Sequence, residues 1–203
     1  MQNRDYEIIQ KVLAGEKRAF AELVDRHKDK SMTLAMKMLR NTEDAEEALQ
    51  DAFVRAFKAL PRFEWKSSFP TWFYRIVYNV CASALEKRGE SYHESIDADQ
   101  EGERVELRSD EELPDAEYES AEIRGVILEE IGKLPQAYGS TFTLFFVQEM
   151  SYEEIVAVTG VPLGTVKARL FRARMMLRQS VAERLGMKEA GTATLVSGKE
   201  KFV

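Results

Sequence analysis

SYEEIVAVTGVPLGTVKARLFRARMMLRQ, residues 151–179, is the stretch from which the fold is read. Ser151 stands three residues before Glu154, the capping-box spacing in which a hydroxyl and a carboxylate satisfy the free N–H groups at a helix start. Ile155, Val156 and Val158 give that short helix an apolar face, and Gly160, Val161 and Pro162 make a sharp turn into a second helix. The pattern is that of a helix-turn-helix. In its second helix Val166, Leu170, Ala173 and Leu177 fall on one side, while Lys167, Arg169, Arg172, Arg174 and Arg178 are expected to project elsewhere. A recognition helix needs this division: one side docks on its own domain, and the other offers donors to guanine edges and phosphates in a major groove. A solvated basic face is the plain alternative for most Lys/Arg clusters, but the capped helix and tight turn ahead of this one favour DNA.

Working upstream, Ile123, Val126, Ile127, Ile131 and Leu134 mark a helix stopped by Pro135, and another helix is expected over roughly 138–148. Downstream, Gly186 is placed to cap the last helix after Leu185. These elements define a second domain over 120–186, followed by a tail, 187–203, whose role the residues do not reveal. At the other end, residues 5–39 read as amphipathic helices divided at Gly15, with Ile8, Ile9, Val12, Phe20, Leu23, Leu34, Met38 and Leu39 at helical spacing. Asn41 and Thr42 are good N-caps for a helix whose apolar face runs from Ala45 to Leu60 and which Pro61 ends. A further helix is expected from Ser67 or Ser68, with Pro70 in its first turn and Trp72 and Ile76 toward the core. The fold class expected is all-α: a helical bundle over 5–89 and a helix-turn-helix domain.

Between them the chain changes character. Residues 90–122 carry fourteen acids against Arg104 and Arg108, a balance of −12, so the net charge of −6 leaves +6 for the remainder. Few apolar residues interrupt the acids, and 90–119 is therefore read as a flexible acidic linker that cannot bury enough surface to offset chain entropy. Extended, 90–122 would reach roughly 110 Å. Two weakly basic heads on an acidic tether fit a nucleic-acid partner better than the overall charge suggests.

The function classes excluded follow from what is missing. A single cysteine, Cys81, and two histidines, His27 and His93, provide neither a disulfide framework nor a zinc ligand set. No Gly-rich phosphate loop, HExxH pair or nucleophile with a histidine base is present, so no catalytic residue, cofactor or small-molecule substrate is expected. Cys81 lies in an apolar helix and reads as a small core residue. No run approaches a membrane span or a signal peptide, and a cytoplasmic, non-membrane protein is expected.

The segment SYEEIVAVTGVPLGTVKARLFRARMMLR closely resembles the second DNA-binding domain, region 4, of the extracytoplasmic-function (ECF) sigma factors of the sigma-70 family. DAEEALQDAFVRAFKAL, residues 44–60, is similar to that family's polymerase-docking helix in region 2, and SSFPTWFYRIVYNVCASALEKR, residues 67–88, to the helix after its promoter-melting loop. The resemblance covers roughly 5–185 in the right order. It implies a non-enzymatic subunit whose partners are the bacterial RNA polymerase core (beta-prime clamp helices and beta flap), promoter DNA and an anti-sigma factor.

It also implies roles by position. Glu46, Glu47, Gln50, Asp51 and Arg55 would meet the clamp helices, their plain alternative being a solvated helix face. In the loop 62–68, Phe63 and Trp65 stand between the charged Arg62, Glu64 and Lys66, outside a helical period. Exposed aromatics stack on unpaired bases, each stack contributing about 1–3 kcal/mol. In the family such a loop captures a base flipped from the minus-10 element, and Asn79 matches an asparagine that reads a base edge. Minus-10 residues are thus expected to be Arg62, Phe63, Trp65, Lys66 and Asn79. For the minus-35 element, Lys167, Ala168, Phe171 and Arg172 match base-facing positions, with Thr165, Arg169 and Arg174 nearer phosphates. Three departures stand out: Trp65 where glycine is expected, Ala168 where serine is common, and Gly139 where arginine is usual.

Two other classes compete. A self-sufficient helix-turn-helix regulator would bind its operator alone, usually as a symmetric dimer. A helical protein-interaction adaptor would carry its basic face incidentally and show no sequence-specific effect on DNA.

Overall fold

A computed structural model describes residues 2–89 and 121–185, with side chains from 4 and from 125 onward. The acidic linker 90–119, the cap at Gly186 and the tail 187–203 lie outside the described residues. Eight α-helices and no strand occur among the described residues: α1 Gln2–Leu13, α2 Phe20–Leu39, α3 Thr42–Ala59, α4 Phe69–Lys87, α5 Ala121–Lys133, α6 Gln136–Phe146, α7 Tyr152–Thr159 and α8 Leu163–Leu185. By contact the described helices form two compact units, one of α1–α4 with Glu153–Val161, the other of α5, α6 and α8. The all-α expectation holds.

In the first unit α2, α3 and α4 pack mutually, and α1 lies against α2 and α4. The boundaries follow local chemistry. Gly15, at φ 106, breaks the chain between α1 and α2 as the sequence suggested, in a conformation that carries no penalty only without a Cβ. Asn41 caps α3, its side chain accepting from the Asp44 N–H at 3.0 Å. Ser68 caps α4 by accepting from the Thr71 N–H at 3.2 Å, with Pro70 in the first turn where no donor is lost. The core is aromatic: Phe73 is fully buried, stacked on Phe53 at 4.6 Å and Phe69 at 5.9 Å. Cys81 is buried in α4, and burial pushes its thiol up to about 12.

One buried charge cluster has no counterpart in the sequence reading. Asp5 of α1, 2% exposed, accepts from Arg26 Nε at 2.8 Å and lies 3.2 Å from Nε2 of the buried His27, both on α2. Burial alone would raise the Asp5 carboxyl, but the hydrogen bonds and charges of His27 and Arg26 outweigh it and hold the group below its ordinary 3.8. Stability from this cluster is therefore full at neutral pH and declines as pH falls below about 4 through the depressed value. Asp5→Asn should lose about 1.5–3 kcal/mol at pH 7. The deficit against the parent should shrink below pH 4, where the parent's own carboxyl takes up a proton. Paired denaturant titrations at pH 7 and pH 3 check this, and an equal deficit at both would show that charge plays no part.

In the second unit α6 packs along α8, and α5 contacts both. α6 begins at Gln136, directly after its N-cap Pro135, and ends at Phe146. The sequence expectation of 138–148 was two residues late, because Pro135 both stops α5 and starts α6. Val147 closes the helix and Glu149 takes φ 57. Phe142, Leu144, Phe145 and Phe146 are buried with Val166, Leu170, Ala173, Leu177 and Val181 of α8.

Candidate nucleic-acid interface

α3 has one buried and one open face. Ala45, Ala48, Leu49, Ala52, Phe53 and Ala56 are buried. Glu46, Glu47, Gln50 and Arg55 are exposed and Asp51 is half-buried. The five residues expected to meet polymerase thus share the open side. Asp51 and Arg55 pair across one turn, with Nε and Nη2 at 3.0 and 2.7 Å from Oδ2. An exposed pair of this kind adds little stability, about 0.3–0.5 kcal/mol. Val54 sits amid this polar face at 44% exposure. A valine out of phase with the buried stripe is the signal in the sequence that marks it.

The loop between α3 and α4 departs from expectation at Phe63. Instead of standing exposed, Phe63 is buried, its ring 4.6 Å from Trp65, 4.9 Å from Trp72 and 6.2 Å from Phe69. Its backbone N–H donates to Leu60 O at 3.1 Å, closing the 3₁₀ turn Leu60–Arg62 and turning the side chain into the bundle. Phe63 is thus a wedge that fixes the neighbouring rings, not a ring open to a base. Trp65 is exposed, with φ 58. The glycine expected there has a clear reason, since a side chain in the left-handed region costs about 1–2 kcal/mol. Arg62 and Lys66 are exposed, Lys66 Nζ lying 2.5 Å from Glu64 Oε2. On α4, Asn79 is exposed, as is Arg75 one turn earlier, which the sequence reading did not single out. Trp72, expected in the core, is half-buried beneath Phe63 and Phe69.

α7 follows directly after Ser151, and Gly160 at φ 74 makes the turn, its N–H donating to Val156 O at 2.8 Å. Val161 and Pro162 then lead into α8. The buried stripe of α8 is the one read from sequence. Its cations divide. Lys167 is exposed, while Thr165, Ala168, Arg172, Arg174 and Arg178 are half-buried and Phe171 is 41% exposed. Arg172 Nη1 donates to the Tyr138 hydroxyl at 3.0 Å, and the Arg174 guanidinium lies 5.0 Å above the Phe145 ring. Both contacts run to α6, so that helix aims two of the arginines, a link that sequence spacing alone does not disclose.

Arg169 is the exception. Expected to project with the others, it is 4% exposed. Helical geometry explains this: three residues after Val166 and four before Ala173, it lies only ~60° around the helix from the first and ~40° from the second. Its Nη1 and Nη2 make no hydrogen bond. Gly139, the other departure in this unit, is buried in α6. No group of three or more potential metal ligands occurs among the described residues, and no described helix is long and apolar enough to cross a membrane.

Among the described residues, α3 carries an open polar face and α8 a partly open cationic one. The sigma-70 region 2 family profile matches residues 23–90, and the sigma-70 region 4 profile matches residues 124–177. The chain is 34% identical over 180 residues to the ECF RNA polymerase sigma factor SigW of Bacillus subtilis, covering 86% of this chain and 95% of that protein. It is 33% identical over 176 residues to the RNA polymerase sigma-H factor of Pseudomonas aeruginosa, covering 85% and 91%. Among solved structures, the sigma factor RpoE from Bartonella quintana, in complex with the anti-sigma factor NepR, matches with a TM-score of 0.57 at 21% identity, over 80% of this chain and 96% of that one. This chain belongs to the ECF RNA polymerase sigma factors. Members of that family are transcription initiation factors that direct promoter-specific initiation, rather than enzymes.

Proposed function

We propose that this sigma factor works in the cytoplasm by dividing promoter recognition between two domains, 5–89 and 120–186, tethered by the acidic linker 90–119. The open face of α3, through Glu46, Glu47, Gln50, Asp51 and Arg55, docks on the beta-prime clamp helices of bacterial core polymerase. Val54 in the middle of that face supplies the apolar contact that charged rims lack. The 62–68 loop and Asn79 take an unpaired minus-10 base. α8 reads the minus-35 duplex with Lys167, Ala168, Phe171 and Arg172, while Thr165 and Arg174 touch phosphates. The second domain also rests on the beta flap, and the polymerase performs all bond chemistry. Arg169 reaches a phosphate only after leaving its buried position. An anti-sigma factor holds the protein inactive by covering these surfaces, a reading supported by the structural neighbour solved with such a partner.

The observation that carries the proposal is the match of both halves, in order, to relatives named as RNA polymerase sigma factors over 86% of the chain. Transcription in vitro from a randomised promoter library, with bacterial core polymerase and with or without this protein, tests it. Enrichment of transcripts sharing two spaced upstream elements is the expected result. Specific DNA binding without polymerase would instead support the self-sufficient regulator, and no sequence-specific effect on DNA would support the adaptor.

A further inference from the structure

Tyr6 of α1 lies outside the segment matched to region 2, which starts at residue 23. Its ring is 47% exposed, although α1 docks through Ile8, Ile9 and Val12 on its other side. Tyr6 meets the ring of Trp65 at 4.9 Å, with the planes 52° apart, and Trp65 is itself 40% exposed. From within, the buried Phe63 supports Trp65 and is in turn backed by Trp72. The result is a continuous set of rings from core to surface, ending in two adjacent half-open ones.

Packing does not account for the outer pair. Trp65 keeps a left-handed backbone that a side chain normally avoids, and conformations of this kind persist where the surroundings fix them, often at ligand sites. The neighbouring sequence is cationic: Arg62, Lys66 and Arg75 are exposed, against Glu64, which is engaged by Lys66. Aromatic faces flanked by cations suit a nucleic-acid strand, with rings for the bases and cations for the phosphates. An apolar peptide would leave Arg62 and Arg75 without a counterpart, since Glu64 is already paired with Lys66.

We propose that Tyr6 and Trp65 together form the stacking surface for an unpaired base of the melted promoter strand, which makes α1 part of the DNA-reading surface. This rests on the reading of the 62–68 loop given above and adds a residue from a helix outside the matched region. The hydroxyl of Tyr6 is not needed for stacking, whereas its ring is.

The test uses full-length protein assembled with core polymerase. The probe is a fork-junction DNA built on a promoter recovered from the library, duplex upstream and single-stranded through the minus-10 segment. Tyr6→Ala and Trp65→Ala should each weaken fork binding by about tenfold, the scale of one lost stack. Tyr6→Phe should stay within about twofold of the parent, and none of the three should alter binding to the upstream duplex alone. If Trp65→Ala weakens the fork and Tyr6→Ala does not, the loop reading stands and the role of α1 is overturned. If neither weakens it, the loop reading falls and this inference falls with it.

Discussion

Phe73→Ala is expected to destabilise the first unit by about 3–5 kcal/mol. Phe73 has no exposed surface and joins three helices: Phe53 of α3 stacks on it at 27°, Phe69 lies parallel on α4, and His27 of α2 sits 6.3 Å away. Alanine would leave a cavity among rigid rings that cannot collapse inward, the circumstance in which large-to-small replacements cost most. Since small domains have only about 5–15 kcal/mol in all, the loss takes this unit close to unfolding. Hydrogen exchange followed amide by amide should show lost protection in 2–89, with little change in the helices α5, α6 and α8 of the second unit. Phe73→Leu, which keeps most of the volume, should cost less than half as much. Parent-like protection in the alanine variant would mean that the ring cluster does not hold α2, α3 and α4 together.

Arg172→Ala is expected to abolish discrimination at one base pair of the minus-35 element, a loss of about 1–3 kcal/mol, or roughly 5- to 150-fold. The arginine is not loose on the surface: the Tyr138 hydroxyl accepts from Nη1 at 3.0 Å and so limits where the guanidinium points. Because the donor is charged, the bond contributes about 1.5–3 kcal/mol, of which only the orienting part bears on base choice. Tyr138→Phe should therefore broaden specificity only slightly, by about fivefold at most, while Arg172→Ala removes it. Binding of the assembled polymerase to promoters carrying each of the four bases at every minus-35 position separates the cases. Weakening that is uniform over all four bases would make Arg172 a phosphate contact instead. In either case, binding to core polymerase should be unchanged, because Arg172 is not among the polymerase contacts of the proposed mechanism.

The helices were legible in the sequence wherever punctuation was local. Gly15, Asn41, Ser68, Pro135 and Gly160 each act within a few residues, and each ends or starts a helix where the chain does. The buried stripe of α8 was legible because apolar side chains at spacings of three and four leave one solution. Phe63 was misread as open because its burial depends on Trp72 and Phe69, which approach only after α4 turns back on the loop. Arg169 was misread because charge was taken as a sign of exposure, while its helical angle already placed it beside Val166 and Ala173. Asp5, His27 and Arg26 escaped notice because α1 and α2 meet only in three dimensions. The departure at Trp65 was visible in the sequence by resemblance, and its φ of 58 supplies the physical reason for a glycine there.

Cys81 has a practical consequence. It is the chain's one cysteine and is buried, and burial pushes its thiol up to about 12, so the reactive thiolate is scarce at neutral pH. Maleimides and mild oxidants should find nothing to attack in the folded protein. A cysteine introduced on any open helix face would then be a unique attachment point for a fluorophore or spin label, with no native residue to remove. Distances between dyes placed on the two units could be followed during promoter opening in a chain that otherwise keeps its natural sequence.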